Sequence, residues 1–348
     1  MSLHTEDTIR NYIDNITEDH EIIKALIDNK LCIFFGAGAS MVYGMPGWRE
    51  FSERYLDYVI RVINKKELII NHYTKQKLLQ SNDHLQILSI CESLVNLYNI
   101  HNERKNFLKE TFCIPPTQIN GILAGNRFYN VLKSINAKYI TTNYDNLFDH
   151  YVQNELPSAA GASIKTPIAS TKLTGNVYGD IDIIREQKQL AHIILDGDVV
   201  HIHGCISKDD KCDSLIITRE DYLKRYYNLD GKENAHNHFL SELFNTYTVL
   251  FIGYGLQELE ILKYMFKNTY QSGANKRYII LEAYPSDYEY IKIYENYLGQ
   301  YNVNIIPYDM TDFGYQGIVQ LLDKIRDTKV KLLKPISDDL DLIMKGNW

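Results

Sequence analysis

Apolar residues in this 348-residue chain form short runs that are separated by longer stretches of mixed polar and apolar positions. The short runs cover residues 31–35, 137–142, 199–203, 246–252, 277–282 and 303–307. Runs of this kind, bounded by turn residues, are typical of buried strands, and helical spacing follows several of them, as at 288–298 and 317–326. The alternation predicts an α/β fold with a doubly wound, mostly parallel, Rossmann-like sheet.

Helical spacing also occurs outside these alternating units. It predicts N-terminal helices over residues 1–30, covering a sheet edge or a subunit contact, and a helical insertion over about 50–130 that forms a small subdomain above the cleft. The main domain is then predicted to span 31–328, and 329–348 to form a C-terminal tail with enough apolar residues to dock. Small and turn-forming residues at 158–174 predict a poorly ordered loop.

A glycine turn directly follows the first apolar run. Gly36 and Gly38 alternate with Ala37, and Ser40 follows. A strand that ends in such a turn lets backbone N–H groups and a helix N-terminus approach a phosphate. Met41 stands where the dinucleotide fingerprint of ordinary dehydrogenases has its third glycine, so that fingerprint is not met.

Polar residues also follow the later apolar runs. Asn143 and Asp145 come after the second run, His203 ends the third, and a second glycine turn follows the fourth, at Gly253 and Gly255. Ligands bind beyond the carboxyl ends of parallel strands, so these positions are candidates for one site. Each residue also has a purely structural interpretation: an asparagine and an aspartate cap helices, and a histidine packs in a strand.

Composition and charge narrow the function classes. The chain is 45% apolar, enough for a sizeable core, and its formal charge of −7 has no basic stripe, which argues against direct nucleic-acid binding. The first twenty residues are too polar for a signal peptide, and no apolar run is long enough for a membrane span, so a cytoplasmic protein is expected. The five cysteines form no C-x-x-C pair, which argues against a zinc ribbon and a disulfide framework. Cys205 and Cys212 could still meet locally, but no metal is expected.

Three short motifs follow one another along the chain: Gly36-Ala-Gly-Ala-Ser40, Thr141-Thr-Asn-Tyr-Asp145 and His201-Ile-His-Gly204. Over roughly residues 30–310 the chain resembles the sirtuin (SIR2-like) NAD-binding domains. It lacks the four-cysteine spacing of protein-deacylating sirtuins, and Pro46-Gly-Trp48 stands for their usual proline, aspartate and phenylalanine. In these respects it looks more like the bacterial SIR2-like NADase effectors of anti-phage defence.

The resemblance implies an NAD⁺ glycohydrolase that releases nicotinamide and ADP-ribose. His203 would be the catalytic base, with His201 on the same strand face as the residue that could be mistaken for it, and Asn143 would position the water and a ribose hydroxyl. Asp145 would accept a hydrogen bond from the nicotinamide carboxamide. Further NAD contacts are expected from Gly36, Ala37, Gly38, Ser40, Trp48, Arg49, Gly253, Gly255 and Glu282.

The part of NAD that each residue is expected to contact differs. Ser40 and Arg49 would reach the phosphates or ribose, and Glu282 the adenosine ribose hydroxyls. Trp48 would shield the nicotinamide ribose, although simple core packing explains it equally well. Gly255 stands where relatives often have serine, so a hydroxyl toward the adenosine half is missing.

A freely active NADase would kill its host, so regulation by a homo-oligomer or by a partner ATPase or sensor protein encoded nearby is expected. The short chain after residue 330 leaves little room for a sensor of its own. Two other functions stay open: an NAD-dependent protein deacylase or ADP-ribosyltransferase, which would need an acyl-lysine or acceptor channel, and a non-catalytic module that senses NAD or ADP-ribose. Dependence of NAD loss on an acylated peptide, or tight binding without product, would distinguish them.

Overall fold

The computed structural model describes residues 6–66, 70–80, 83–114, 127–152, 183–184, 197–206, 215–227, 235–269, 275–312 and 314–344. The loop predicted at 158–174 and Cys212 lie outside these residues. In the described part of the chain, alternating strands and helices form an α/β fold of the Rossmann type, as the apolar pattern predicts.

The sheet has seven strands, and every pairing between neighbours is parallel. The strands are β1 Leu31–Phe35, β2 Lys138–Thr141, β3 Ile183–Ile184, β4 Val199–His201, β5 Thr248–Ile252, β6 Arg277–Ala283 and β7 Val303–Asp309. Their spatial order is β3-β4-β2-β1-β5-β6-β7, so the direction of winding reverses between β1 and β5. A crevice opens beyond the carboxyl ends of the strands at such a switch point.

All the predicted strands are confirmed, and the short edge strand β3 is an addition that the apolar pattern did not indicate. β1, β2, β4 and β5 are buried along their whole length, as expected for parallel strands covered on both faces. Two separate apolar clusters, one containing Ile33 and Phe35 and the other Cys32 and Phe34, occupy the two faces. The alternation along β1 therefore divides its side chains between the two layers.

Some helices cover the two faces of the sheet, and others form a separate group. They are α1 Glu6–Arg10, α2 Glu21–Ile27, α3 Ala37–Met41, α4 Trp48–Lys66, α5 His72–Leu79, α6 His84–Tyr98, α7 His101–Phe112, α8 Phe128–Ile135, α9 Leu147–Val152, α10 Arg219–Tyr226, α11 Ala235–Thr246, α12 Leu259–Thr269, α13 Tyr288–Gly299 and α14 Gln316–Met344. Among the described residues, no helix combines the length and apolar character needed to cross a bilayer.

Helices α4, α6 and α7 pack around a third apolar cluster, distinct from the two on the sheet. Tyr144, from the loop after β2, belongs to this cluster and packs edge-on against Phe51 and Phe112. The helical pattern at 78–112 is divided because Asn99 adopts a left-handed conformation (φ 50°) that ends α6. This helical unit meets the sheet at the carboxyl end of β2, where the predicted site lies.

The two ends of the described chain pack on the sheet. The N-terminal segment wraps the edge strand β7, because Ile9 joins the cluster on one face and Tyr12 and Ile16 join the cluster on the other. Helix α14 crosses the predicted boundary at residue 328 without interruption and continues to Met344. The division into domain and tail stays a prediction.

Candidate active site

The two glycine turns after β1 and β5 pack directly on each other. The N–H of Gly36 donates to the carbonyl of Ile252 at 3.1 Å, and that of Gly38 to the carbonyl of Gly253 at 2.9 Å. A Cβ on Gly38 would lie 2.8 Å from Gly253 Cα, and Gly253 itself has a φ of +58°. The glycines therefore allow two backbones to approach closely at the switch point, and their N–H groups are used in that contact.

Two cavities lie on either side of the first glycine turn. One has about 390 Å³ of empty space, its open mouth included, and lies between the turn, the start of α4 and the loop after β2. It is lined by Ala37, Ser40, Pro46, Gly47, Trp48, Phe51, Phe112, Thr142, Asn143, Tyr144 and Asp145. The other has about 1440 Å³ on the same basis and opens beyond the ends of β5, β6 and β7. Gly38, Gly253, Gly255 and Glu282 contribute to its wall.

Asn143 is held rigidly at the wall of the smaller cavity. Its Nδ2 donates to the carbonyl of Gly36 at 3.1 Å and to Ser40 Oγ at 2.9 Å, and its backbone N–H donates to Thr141 Oγ1. Because a carbonyl accepts only, these contacts fix which end of the amide is nitrogen. With Nδ2 engaged, the amide oxygen Oδ1 is the group of this side chain that can meet a ligand.

Ser40 serves as a buried junction in the same network. Its Oγ lies 2.7 Å from the hydroxyl of Tyr129 on α8, in addition to the contact with Asn143. The side chain is buried and faces the protein interior as well as the cavity. In the described structure, the Ser40 hydroxyl therefore connects Asn143 to α3 and α8.

Asp145 also lines the smaller cavity and lies at the start of α9. Its Oδ1 accepts from the backbone N–H of Leu147 at 3.1 Å, which is the capping role that its sequence position allows. Burial raises the pKa of Asp145, and hydrogen bonds from Ser40 and Leu147 offset this only in part.

His201 supports the loop that carries Asn143. Its Nδ1 lies 3.0 Å from the carbonyl of Asn143 and its Nε2 lies 2.9 Å from Asp149 Oδ1, with all three residues buried. Burial alone would lower the pKa of His201, but Cys205 and Asp149 together hold it well above its usual range. Both ring nitrogens therefore donate, and the pair is an imidazolium and a carboxylate.

The donor atoms of Asp149, His201 and Cys205 lie within 4.8 Å of one another, close enough to be considered for a metal ion. The imidazole nitrogen of His201 and the carboxylate oxygen of Asp149 lie 2.9 Å apart, the distance of a charge-assisted hydrogen bond, and Cys205 adjoins the same carboxylate.

His203 is fully buried and lines neither cavity. Its Nε2 lies 2.6 Å from the hydroxyl of Tyr226, while its Nδ1 has no hydrogen-bond partner among the described residues. Burial lowers the pKa of His203 well below its usual range, and His236 and Arg225 lower it further. The imidazole is therefore neutral at neutral pH, with one nitrogen open. The main chain of His203 connects to the smaller cavity through Ile216, whose N–H donates to the His203 carbonyl and whose own carbonyl accepts from the Tyr144 hydroxyl.

The remaining predicted residues differ in how close they lie to the cavities. Trp48 lines the smaller one and packs edge-on against Tyr144, with ring centroids 6.0 Å apart. Arg49 lies on the surface, where its guanidinium pairs with Glu53 at 3.0 Å, and it lines neither cavity. Glu282 is exposed at the end of β6 on the wall of the larger cavity.

Some residues of the site were not indicated by the sequence. Tyr129 and Glu258 contact or adjoin the predicted residues, yet neither belongs to one of the three motifs, and Tyr144 lies inside the second motif without having been singled out. Glu258 also had a usable signal, because it lies three residues after Gly255 in the loop that leads into α12. Tyr129 sits in an ordinary amphipathic helix, and its role depends on tertiary packing.

Comparison with known proteins gives two findings. Residues 137–306 match the family model of the SIR2-like domain. The chain is also similar to Defense-associated sirtuin 2 of Bacillus subtilis, with 24% identity over 283 residues that cover 79% of this chain and 23% of that protein. The chain thus spans about a quarter of the length of this relative. The resemblance to SIR2-like proteins that was read from the three motifs is confirmed.

Proposed function

We propose that this chain, which carries a SIR2-like domain, hydrolyses NAD⁺ to nicotinamide and ADP-ribose. The observation that carries the proposal is the pair of cavities on opposite sides of the Gly36–Gly38 turn. A dinucleotide has two nucleoside ends joined by a pyrophosphate, which matches two pockets joined over a glycine turn. The nicotinamide ribose would occupy the smaller pocket and the adenosine the larger.

Residues that line the smaller cavity support cleavage of the nicotinamide–ribose bond there. The transition state resembles an oxocarbenium ion, so the protein must hold the ribose, seat the leaving amide and direct a water molecule. Asn143 would accept from the water or a ribose hydroxyl through Oδ1, since its Nδ2 is bound to Gly36 and Ser40. Asp145 would accept from the carboxamide, and Trp48 would exclude solvent from the ribose.

His203 would be the general base. Its neutral imidazole and open Nδ1 suit the removal of a proton from a ribose hydroxyl or, through it, from the attacking water. Ser40 and the glycines would act through the shape of the turn, Glu282 would meet the adenosine ribose, and Arg49 would reach the phosphates from the rim.

The proposed biological role is depletion of NAD in bacterial anti-phage defence. This part rests on the printed name of the relative, and the chain covers only 23% of that relative. Control by homo-oligomerisation, or by a partner ATPase or sensor protein, is part of the same proposal, because unregulated NAD loss would harm the host.

Nicotinamide release from NAD⁺ by the purified protein tests the activity, first alone and then with products of neighbouring genes. Wild type should release nicotinamide, and Asn143→Ala and His203→Ala should each reduce the rate at least a hundredfold. Lys65→Ala, an exposed change on α4 away from both cavities, is the control and should leave the rate unchanged. Thermal melting of each variant establishes that it folds.

Three outcomes would contradict the proposal. NAD loss that strictly requires an acylated peptide would indicate a deacylase, and transfer of ADP-ribose to a protein would indicate an ADP-ribosyltransferase. Binding of NAD without product under every activating condition tried would indicate a sensing module instead.

A further inference from the structure

Two polar atoms are left unsatisfied in the buried region around His203, one on its imidazole and one on the nearby carboxyl group of Glu258. Within the described residues, His203 Nδ1 and Glu258 Oε2 have no hydrogen-bond partner although both are buried. An unsatisfied buried polar atom costs about 1–3 kcal/mol, so its persistence calls for an explanation. Neither the packing of the sheet nor the capping of a helix uses these two atoms.

The geometry places the carboxyl group of Glu258 beside the imidazole of His203. Glu258 Oε2 lies 3.3 Å from His203 Nε2, but no aligned hydrogen bond forms between them, and Nε2 instead lies 2.6 Å from Tyr226 OH. A carboxylate in this position interacts weakly with a neutral imidazole and strongly with an imidazolium. Its effect therefore grows only when His203 takes up a proton.

Several elements surround the carboxyl group. Glu258 precedes α12, and the side chains of Tyr222 on α10 and Tyr254 after β5 lie beside it. The other titratable or charged groups facing the pair are Tyr144, Tyr226, Arg225, His236 and Glu260. The residues of this pocket come from the loop after β2, the end of β4, two helices and the loop after β5, so no local motif defines it.

We infer that Glu258 is a positioning residue for His203 in the proposed reaction: its carboxylate stabilises the imidazolium that forms when Nδ1 removes a proton. This inference rests on the proposed function. The proton moves from the ribose hydroxyl or water to Nδ1, the Nε2–H turns toward Glu258 Oε2, and the proton leaves to solvent after product release. Because the ion pair exists only after proton transfer, Glu258 contributes to kcat and little to KM.

The protonation of Glu258 gives this arrangement a pH dependence. Burial and the nearby Glu260 raise the pKa of Glu258 to about 8, and the adjacent hydroxyls of Tyr254 and Tyr222 oppose this. Only the ionised carboxyl group stabilises the imidazolium, so kcat should rise with pH and level off above about 8. Loss of the proton from Glu258, and no other group in the pocket, should account for that rise.

The test compares Glu258→Gln with Glu260→Gln, two isosteric changes that each remove one carboxyl group, the first just before α12 and the second in its first turn. Glu258→Gln should lower kcat at least tenfold at pH 8.5, leave KM within twofold, and abolish the rise of kcat between pH 7 and 8.5. Glu260→Gln should keep the full kcat at high pH and move the rise to lower pH, because it removes a neighbouring negative charge. Glu258→Asp should restore part of the rise.

The outcomes separate this inference from the proposed function. If neither wild type nor His203→Ala releases nicotinamide above background, the proposed function fails. If wild type is active and His203→Ala is not, but Glu258→Gln keeps wild-type kcat and pH profile, the assignment of Glu258 is overturned. Equal effects of Glu258→Gln and Glu260→Gln would overturn it as well. AMP binding at the larger cavity, measured by calorimetry, establishes that each variant is folded.

Discussion

At the scale of single residues, the contact between the two glycine turns is the most tightly constrained part of the site. A Cβ on Gly253 would lie 2.4 Å from the backbone nitrogen of Ala39, and the residue has a positive φ of 58°. Gly255, two residues later, has no such constraint, since its Cβ would meet only the side chain of Gln257 at 3.7 Å. The two glycines of one motif therefore have different physical roles.

Gly253→Ala and Gly255→Ala form a matched pair that tests this difference. The first should lower the free energy of unfolding by about 3 kcal/mol or more, because it adds left-handed strain and a backbone clash. The second should change it by less than about 0.5 kcal/mol. Urea denaturation measures both, and equal losses would contradict the close contact between the turns.

The buried imidazole of His236 on α11 should make the stability of the protein depend on pH. Burial, with a smaller effect of Arg225, lowers the pKa of His236 to about 3, whereas the unfolded chain has the ordinary value near 6.5. Below pH 6.5 the unfolded state therefore binds a proton that the folded state does not, and stability falls as the pH drops toward 3. His236→Asn should reduce the slope of unfolding free energy against pH by about one proton between pH 6 and 4.5. Urea denaturation at several pH values checks this, and an unchanged slope would contradict it.

At the scale of elements, two buried charged groups connect helices to the sheet at its opposite ends. At the start of β6, Arg277 is fully buried and donates from Nη1 to Tyr301 O at 2.6 Å and from Nη2 to Phe244 O at 3.3 Å. Both acceptors lie at the carboxyl ends of helical segments, where backbone carbonyls lack partners within the helix. At the other end of the sheet, the ion pair of Asp149 and His201 joins α9 to β4.

Arg277→Met should lower the free energy of unfolding by about 3 kcal/mol, because two buried carbonyls lose a charged donor. Lys276→Met is the control. Lys276 is the exposed neighbour of Arg277, and its change should cost no more than about 0.5 kcal/mol. Chemical denaturation measures the difference, and a similar effect of the two changes would contradict the role of Arg277 as a cap for both helix ends.

The ion pair behind Asn143 should be strongly coupled. Asp149→Asn and His201→Gln should each cost about 3 kcal/mol of stability, because each leaves a buried charge or donor unpaired. The double variant should cost at least about 1 kcal/mol less than the sum of the two. A double-mutant cycle by denaturation at pH 7 measures this coupling, and additive losses would contradict the ion pair.

At the scale of the whole molecule, the arrangement of strands brings the two cavities to one glycine turn. The turn lies where winding reverses between β1 and β5, with β2 and the helical cluster of α4, α6 and α7 on one side and β6 and β7 on the other. Each side contributes its own cavity wall. The proposed dinucleotide site is thus a consequence of topology rather than of any single motif.

This division predicts that changes on the two sides affect ligands separately. Trp48→Ala should raise KM for NAD at least fivefold and leave the dissociation constant for AMP within twofold, because Trp48 lines only the smaller cavity. Glu282→Gln should weaken the binding of both AMP and NAD, since Glu282 belongs to the larger cavity. Calorimetry with AMP and steady-state kinetics with NAD check the pattern. Weakening of AMP binding by Trp48→Ala would contradict the assignment of the two ends.

Much of the fold could be predicted because it depends on local patterns. Apolar runs and helical spacing gave the strands and the parallel α/β class, and the three motifs gave the SIR2-like resemblance. The edge strand β3 escaped prediction because two residues are too few for a periodic signal. Helix α14 was predicted too short, because it continues past the expected boundary at residue 328 to Met344.

The sequence by itself determined which residue types stand at the carboxyl ends of the strands, because parallel strands end where their apolar runs end. It did not determine how those residues meet. Asn143 is fixed by Gly36 and Ser40, His203 is paired with Tyr226 and Glu258, and Arg49 is turned to the surface. These contacts join residues far apart in the chain, and their geometry follows from the order of the strands and the packing of the helices. Only the tertiary structure decides which groups are buried, which nitrogen stays open and which charges face each other.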